Sequence, residues 1–485
     1  MRDRDSNALA LEKKADRQIK PSLDSREGRV GYREGRSKPS ENRNILDPRI
    51  PSFALAAQVN SNPEIRQQLL ELYLHYHLPT RQLGPIQQRL WLLRLPSMTH
   101  LTPALEVSTM ALCLGKLGDV HQDQGLRRES LKLYYHGLRQ LQKALWDLDL
   151  MFHDQTLATC IALASYEMSQ CPGESRNGYI SHAAGCEKLV QLRGPEAHTD
   201  GLGHQIFVLF RVQGILLASV NKKSTFLSEP LWQEVPFRKE PKRPYDHVYD
   251  YLNRASELLN RGEMLDRMNM DAQLQLATEM ISQCWKMDQE LLTLYEELET
   301  TQSGPVFWPE LAQQTSFDHK TEDGMVFPVA FHFPDLFVAS TVVVFWAVQS
   351  MLWYWLSALY GLMDELRVKL TAAGRVVEVD EIADISSTSV LRPRLREDTF
   401  NLPPLEYRIN SATPALNILQ SVEYFLQEDM LDHGPKSIAA PLKAAMEILR
   451  LHSGYKTEML WAEEAMRKVQ GRSLRLLVYY SGVEK

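Results

Sequence analysis

Apolar residues recur three or four positions apart along most of this chain, the spacing of one face of an α-helix. Within 154–195, Leu157, Ile161, Ala164 and Met168 mark one helix, and Tyr179, Ala183, Cys186 and Val190 mark a second. Asp154 is placed to cap the first, because a carboxylate there can accept the free N–H groups of the opening turn. Ala158, Ala162 and Ser165 are small enough to let another helix approach closely. Pro172-Gly173 breaks the pattern, and Arg193-Gly194-Pro195 ends the second helix. Glycine accepts the left-handed conformation past a helix end, and proline cannot extend a helix. The stretch predicts a helical hairpin.

The same reading extends to both sides. Asn62-Pro63 suits a helix start, followed by Leu69, Leu70, Tyr73 and Tyr76. A short helix with Trp91 is expected over 85–95, ended by Pro96, and Thr102-Pro103 opens another that runs to Gly118. Segment 127–148 is amphipathic: Leu131, Tyr134, Tyr135, Leu138, Leu141 and Leu145 share a face, with Arg128, Lys132, Arg139 and Lys143 opposite. That basic stripe reads more simply as a wet face than as a DNA contact. Further helices are expected over 204–220, 245–259, 271–298, 416–427, 441–451 and 461–469, with Gly434-Pro435 as a turn. Segment 300–334 is richer in Pro, Gly, Ser and Thr, so it predicts irregular structure and a candidate sub-boundary. Segment 373–404, with Glu378, Asp380, Glu381 and Asp384, predicts an exposed loop.

Residues 336–363 carry no charge and are long enough to cross a bilayer. Ser340, Thr341, Gln349, Ser350 and Ser357 interrupt the run, and soluble-type helical patterns flank it. It therefore predicts a central helix buried on all faces, with Trp346, Trp353, Tyr354 and Trp355 supplying core area, and no membrane association. The expected fold class is all-α: a large irregular multi-helix domain with a buried central apolar helix. It would occupy 56–485, behind a disordered tail at 1–55 that holds too few large apolar groups to offset its ordering entropy.

Composition narrows the function. The net charge of −7 argues against nucleic-acid binding along the whole surface, which needs clustered Lys and Arg. Two basic groups are noted. Arg26, Arg29, Arg33, Arg36 and Lys38 in the tail could touch nucleic acid or an import receptor but read more simply as solvated. Arg238, Lys239, Lys242 and Arg243 around Pro241 and Pro244 are an import-signal candidate of a kind that is frequent by chance. Cys113, Cys160, Cys171, Cys186 and Cys284 form no C-x-x-C pair and read as reduced thiols. No nucleophile elbow, phosphate loop or H-E-x-x-H motif occurs. His75-x-His77 would point to different helix faces, His332 stands alone, and the Asp154 of His153-Asp154 is already assigned as a cap. No catalytic, cofactor-binding or metal-binding residue is therefore expected. His182 and Arg193 are the most informative polar residues, and hydrogen bonding within the hairpin is the simpler reading of both than a pocket or partner surface.

The run Asp154-x-Thr156-Leu157, then Tyr166-Glu167, then His182-x-x-Gly185-x-x-x-Leu189-Val190-x-x-Arg193-Gly194-Pro195 resembles the middle of the fungal-specific transcription factor domain. That domain is the regulatory region that follows a binuclear zinc cluster in many fungal regulators. Tyr135-x-x-Leu138-x-x-Leu141, Phe226-Leu227-Ser228-x-Pro230-x-Trp232, Ser421-Val422-x-Tyr424, Gly434-Pro435 and Pro441-Leu442-x-x-Ala445 extend the likeness in order. The resemblance implies an all-helical regulatory domain from about residue 65 onward. It further implies a nuclear protein controlling metabolic or secondary-metabolite genes through protein partners or a small-molecule effector, as a homo- or heterodimer. The family's six-cysteine cluster would precede the domain, yet no cysteine precedes Cys113. Direct DNA binding by this chain alone is therefore not expected, whether it is a shortened gene product or a relative that acts without touching DNA. Asp154, Leu157, Tyr166, Glu167, His182, Gly185, Arg193, Gly194, Pro195, Pro230 and Trp232 carry the resemblance and are expected to hold the fold together. A helical enzyme of a biosynthetic cluster and a helical scaffold are the alternative functions.

Overall fold

A computed structural model describes residues 63–79, 90–170, 177–220, 223–313, 320–321, 324–374, 376–377, 395–396 and 400–471. The predicted tail at 1–55, the Pro172-Gly173 break, Cys171 and most of the 373–404 loop lie outside them. Every described residue belongs to one compact unit within Pro51–Lys485. The helices run in the order α1 (Pro63–His77), α2 (Pro103–Val120), α3 (Gln124–Trp146), α4 (Asp154–Gln170), α5 (Asn177–Arg193), α6 (Gly201–Val220), α7 (Pro230–Glu234), α8 (Pro244–Gly262) and α9 (Met270–Thr301). Then follow α10 (Leu336–Ala372), α11 (Ala412–Phe425), α12 (His433–Arg450) and α13 (Lys456–Gly471).

Local chemistry sets several of these boundaries. Thr102 Oγ1 accepts from the Leu105 amide with Pro103 at the first position of α2, and Asp123 accepts from the Gly125 amide at the start of α3. Asn269 caps α9 and Asp335 caps α10 in the same way. Each supplies an acceptor to an amide with no partner inside its helix. Helix α3 buries Leu126, Tyr134 and Leu141 and exposes Arg128, Lys132, Arg139 and Lys143, so the basic stripe is a solvated face.

Helix α10 is the centre. Its residues 336–353 are buried on every side, and α8, α9, α11 and α12 pack around it. Gly201–Ser219 and Leu336–Ala372 are both long and apolar enough to cross a membrane, and the apolar window of the second is wholly buried inside the protein. Its polar interruptions are satisfied: Ser340 and Thr341 donate to the Leu336 and Phe337 carbonyls at 2.7 and 2.8 Å. Trp353 Nε1 donates to Asp288 Oδ1 at 2.8 Å.

The structure corrects four local expectations. Segment 300–334 is not all irregular: β1 (Trp308–Leu311) pairs antiparallel with β2 (Val329–His332), Trp308 facing His332, and β2 packs on α11. The 91–97 stretch is a 3-10 helix with Pro96 inside it. Gly434, Pro435 and Pro441 lie within α12 and form no turn, because a proline in the first turn loses no helical hydrogen bond and one mid-helix loses only one. Asp154 is the first residue of α4 and turns its carboxylate away from that helix, as described below.

Two glycines give opposite expectations. A Cβ on Gly434 would lie 2.0 Å from the Phe425 carbonyl oxygen, a backbone atom that cannot swing aside. A Cβ on Gly185, exposed inside α5, would meet nothing within 4 Å. Urea unfolding should show Gly434→Ala destabilised by about 3 kcal/mol and Gly185→Ala stabilised by about 0.5–1 kcal/mol. Equal effects at the two sites would refute this placement of α12 against α11.

Candidate ligand cavity and the residues around it

The residues that carry the resemblance are tied to one another. Arg193, at the end of α5, donates from Nη2 to Asp154 Oδ1, and Asp154 Oδ2 accepts from the Gly203 amide at 3.1 Å. One carboxylate so joins the start of α4, the end of α5 and the first turn of α6. Gly194 follows with φ of +74°, the left-handed region glycine enters readily, and Pro195 opens a 3-10 helix. Inside the α3–α4–α5 layer, Tyr134 donates to Glu167, stacks on Tyr166 at 4.6 Å, and lies 3.4 Å from His182 Nε2. Burial pushes the Glu167 carboxyl up, against the Tyr134 hydrogen bond, and lowers His182 to about 4, so that imidazole is neutral at pH 7. Leu157 is fully buried. Pro230 opens α7, and Trp232 packs edge-on to Phe226 and against Phe207. Gly185 touches nothing, and the structure gives no reason for a glycine there.

None of these eleven residues faces the larger of two neighbouring cavities, a space of about 840 Å³. Helices α1 to α6, α8, α10, α12 and α13 all contribute to its lining, and its volume is within the range of small-molecule sites. Most of the wall is apolar or aromatic, with Trp91, Leu112, Met168, Leu209, Tyr245 and Leu336 among the contributors.

One group of polar side chains in the wall gathers at the start of α12. Asp432 Oδ2 accepts from Lys116 Nζ at 2.7 Å and from His77 Nδ1 at 3.3 Å. Burial pushes the Asp432 carboxyl up, but the His77 hydrogen bond and the Lys436 and Lys116 charges outweigh it and hold the carboxyl well below the usual range. Burial lowers His77 to about 4, against the Asp432 hydrogen bond, so His77 donates as a neutral ring. The His433 ring lies edge-on to His77 at 4.9 Å, and its buried Nε2 has no hydrogen-bond partner among the described residues. Burial also drives His433 down, helped by His77 and Lys436. Lys436, one turn further, faces the cavity without a salt bridge or side-chain hydrogen bond among the described residues, and burial lowers its pKa against the pull of Asp432. A second pair, Arg127 with Asp119 at 2.9 Å, closes another part of the wall. A smaller cavity of about 310 Å³ adjoins it, sharing Leu216, Ala440 and Pro441.

The sequence reading passed over this cluster. His77 entered only as half of His75-x-His77, and Asp432, His433 and Lys436 were not singled out. Asp432 lies 355 residues from His77 and 316 from Lys116, so no local spacing reveals the group. The one local signal was Asp432, His433 and Lys436 standing together at the start of a helix. His332 lies 3.7 Å from Glu310 instead of joining a metal site. No group of three metal-ligating side chains forms among the described residues, and Cys113, Cys160, Cys186 and Cys284 are buried and unbridged. The basic group near Pro241 is engaged, with Arg238 on Glu196, Lys239 on Asp200, Lys242 on Asp250 and the Arg243 amide on Asp246.

Two measurements check the cluster. Asp432→Asn leaves Lys116 and Lys436 without their anion and should cost about 3–5 kcal/mol in urea unfolding. His77 is held neutral when folded, so its stabilising share is complete above pH 6.5 and is lost as the pH falls from 6.5 toward about 4. His77→Gln should make the acid loss of stability shallower by roughly 1.4 kcal/mol per pH unit in that window, and an unchanged slope would refute the assignment.

Comparison with known proteins bears on the whole assembly. Residues 68–305 match the model of the fungal specific transcription factor domain. They run from within α1 to just past α9 and hold all eleven residues of the resemblance, while Asp432, His433 and Lys436 lie beyond them. An uncharacterized protein of Emericella nidulans is 38% identical over 117 residues, 24% of this chain, and the match spans 25% of that protein's length. No solved structure matches. By the family-model match, residues 68–305 of this chain, just under half of it, therefore carry a fungal specific transcription factor domain.

Proposed function

We propose that the chain is a nuclear transcription regulator that controls metabolic genes, those of secondary metabolism in particular, by changes of state in its helical domain. The observation that carries this reading is a match to a regulatory domain over 68–305 whose helices, with later ones, border a cavity of about 840 Å³ that has charged side chains in its wall. Such a space suits a small-molecule effector, and the outer helix faces suit protein partners, a second copy or an intact relative among them. The helices are not assigned a zinc or other cofactor, a catalytic step or a membrane. DNA reading is assigned to a partner: the exposed cations Arg238 and Lys239 already face carboxylates, which weakens them as phosphate contacts.

Deleting the gene and profiling transcripts tests the proposal. A coordinated change in one set of metabolic genes, with the tagged full chain in the nucleus, is the expected result. An unchanged transcriptome across growth conditions would overturn it.

A further inference from the structure

We propose that the large cavity binds a monoanionic, mostly apolar organic acid, its carboxylate held by the Lys436 ammonium and the His433 Nε2. This names the effector class for the regulator reading above, while the site itself rests on the cavity.

Charge on the wall makes the first argument. Lys116, Arg127 and Lys436 face Asp119 and Asp432. Both carboxylates are engaged at short range, Asp119 by Arg127 at 2.9 Å and Asp432 by Lys116 at 2.7 Å. Lys436 is half-buried, lines the cavity and has no salt bridge among the described residues; the Asp432 charge that acts on it is already bonded to Lys116 and His77. A partly desolvated ammonium that shares its counter-charge in this way gains from an incoming anion.

Donor placement makes the second. His433 and Lys436 stand three residues apart on α12, so their side chains share a face. The imidazole Nε2 is buried with no hydrogen-bond partner among the described residues, and buried polar nitrogens are rarely left so. A two-oxygen acceptor can take the ammonium on one oxygen and the ring N–H on the other. One lining cation without a salt bridge among the described residues suits one negative charge. A phosphate monoester would need a second, and the other two cations are already committed.

The rest of the wall selects the body of the molecule. Trp91, Leu112, Met168 and Leu209 offer apolar surface on other elements of the wall. A ligand of this class would be amphipathic, with one acid group and a hydrocarbon or aromatic remainder.

Titration calorimetry on the full-length protein would use two acid–amide pairs: dodecanoate with dodecanamide, and 2-naphthoate with 2-naphthamide. At least one acid should bind, at least tenfold tighter than its amide. Lys436→Gln should erase that preference by weakening the acid about tenfold and the amide less than twofold. His433→Ala should weaken the acid about threefold or more. Met168→Trp, which fills the cavity, should weaken both members of the pair. Should Lys436→Gln fail to fold, the acid–amide comparison in the wild type and His433→Ala still decide. The proposal is overturned if neither acid binds, if acid and amide bind alike, or if Lys436→Gln leaves the preference intact. Acid binding without a transcript change on gene deletion would leave this site standing and remove the regulator reading, and the reverse pattern would do the opposite.

Discussion

A helix with no polar face has to be wrapped, and α10 imposes that demand on the whole domain. Five turns of it, 336–353, are buried. Its backbone satisfies itself, as any helix does, but its polar side chains need partners in the surrounding shell. Trp353 finds Asp288 on α9, and Asp288 also accepts from Arg408 Nε at 2.7 Å. The Arg408 guanidinium lies 4.6 Å from the Trp285 ring and 4.5 Å from the Tyr407 ring. Such a buried pair adds little net stability, yet breaking one partner is expensive, so it fixes where α9 and the 406–409 turn sit against α10. Arg211, fully buried, does the same between α6 and α8 through Asp250 and the Asp246 carbonyl.

Wrapping a long rod with helices of unequal length leaves gaps, and the two cavities lie where the wrap is incomplete. Both touch Ala440 and Pro441 in the middle of α12. Proline there removes one intrahelical hydrogen bond and a donor, so the helix is weakest where it borders the open space. The charged group at the start of α12 works against collapse. Closing apolar side chains over Lys436 and Asp432 would strip them of polar surroundings at a cost that dispersion contacts do not recover.

Much of this was legible in the chain. Apolar spacing gave the helices, because burial of one face is what that spacing encodes, and the uncharged run at 336–363 gave the central helix because no polar face was left to meet water. The two four-residue strands were hidden by a composition rich in proline and glycine, and four residues of alternation carry little signal. Pro441 looked like a helix start, since sequence cannot say when packing on α10, α11 and α13 outweighs one lost hydrogen bond. Asp154 looked like a cap because capping is local, whereas its partners Arg193 and Gly203 lie 39 and 49 residues away. The Asp432 group failed for the same reason at greater range.

That range gives the cavity its reach. Asp432 bonds side chains of α1 and α2 from the opposite end of the chain, so whatever moves the start of α12 pulls on the first helices of the family domain. Helix α4 extends the link. Successive helical residues turn by about 100°, so neighbours can serve opposite sides. Ser165, Met168 and Ser169 face the cavity, while Tyr166 and Glu167 between them face Ser130 and Tyr134 on α3. A rigid turn cannot shift one of these faces alone. Met168 stands one residue along the chain from the buried Glu167 carboxylate, which is joined through Tyr134 to the ring of His182 at 3.4 Å. The residues that hold the hairpin together therefore lie on the back of the helix that borders the cavity, without themselves lining it.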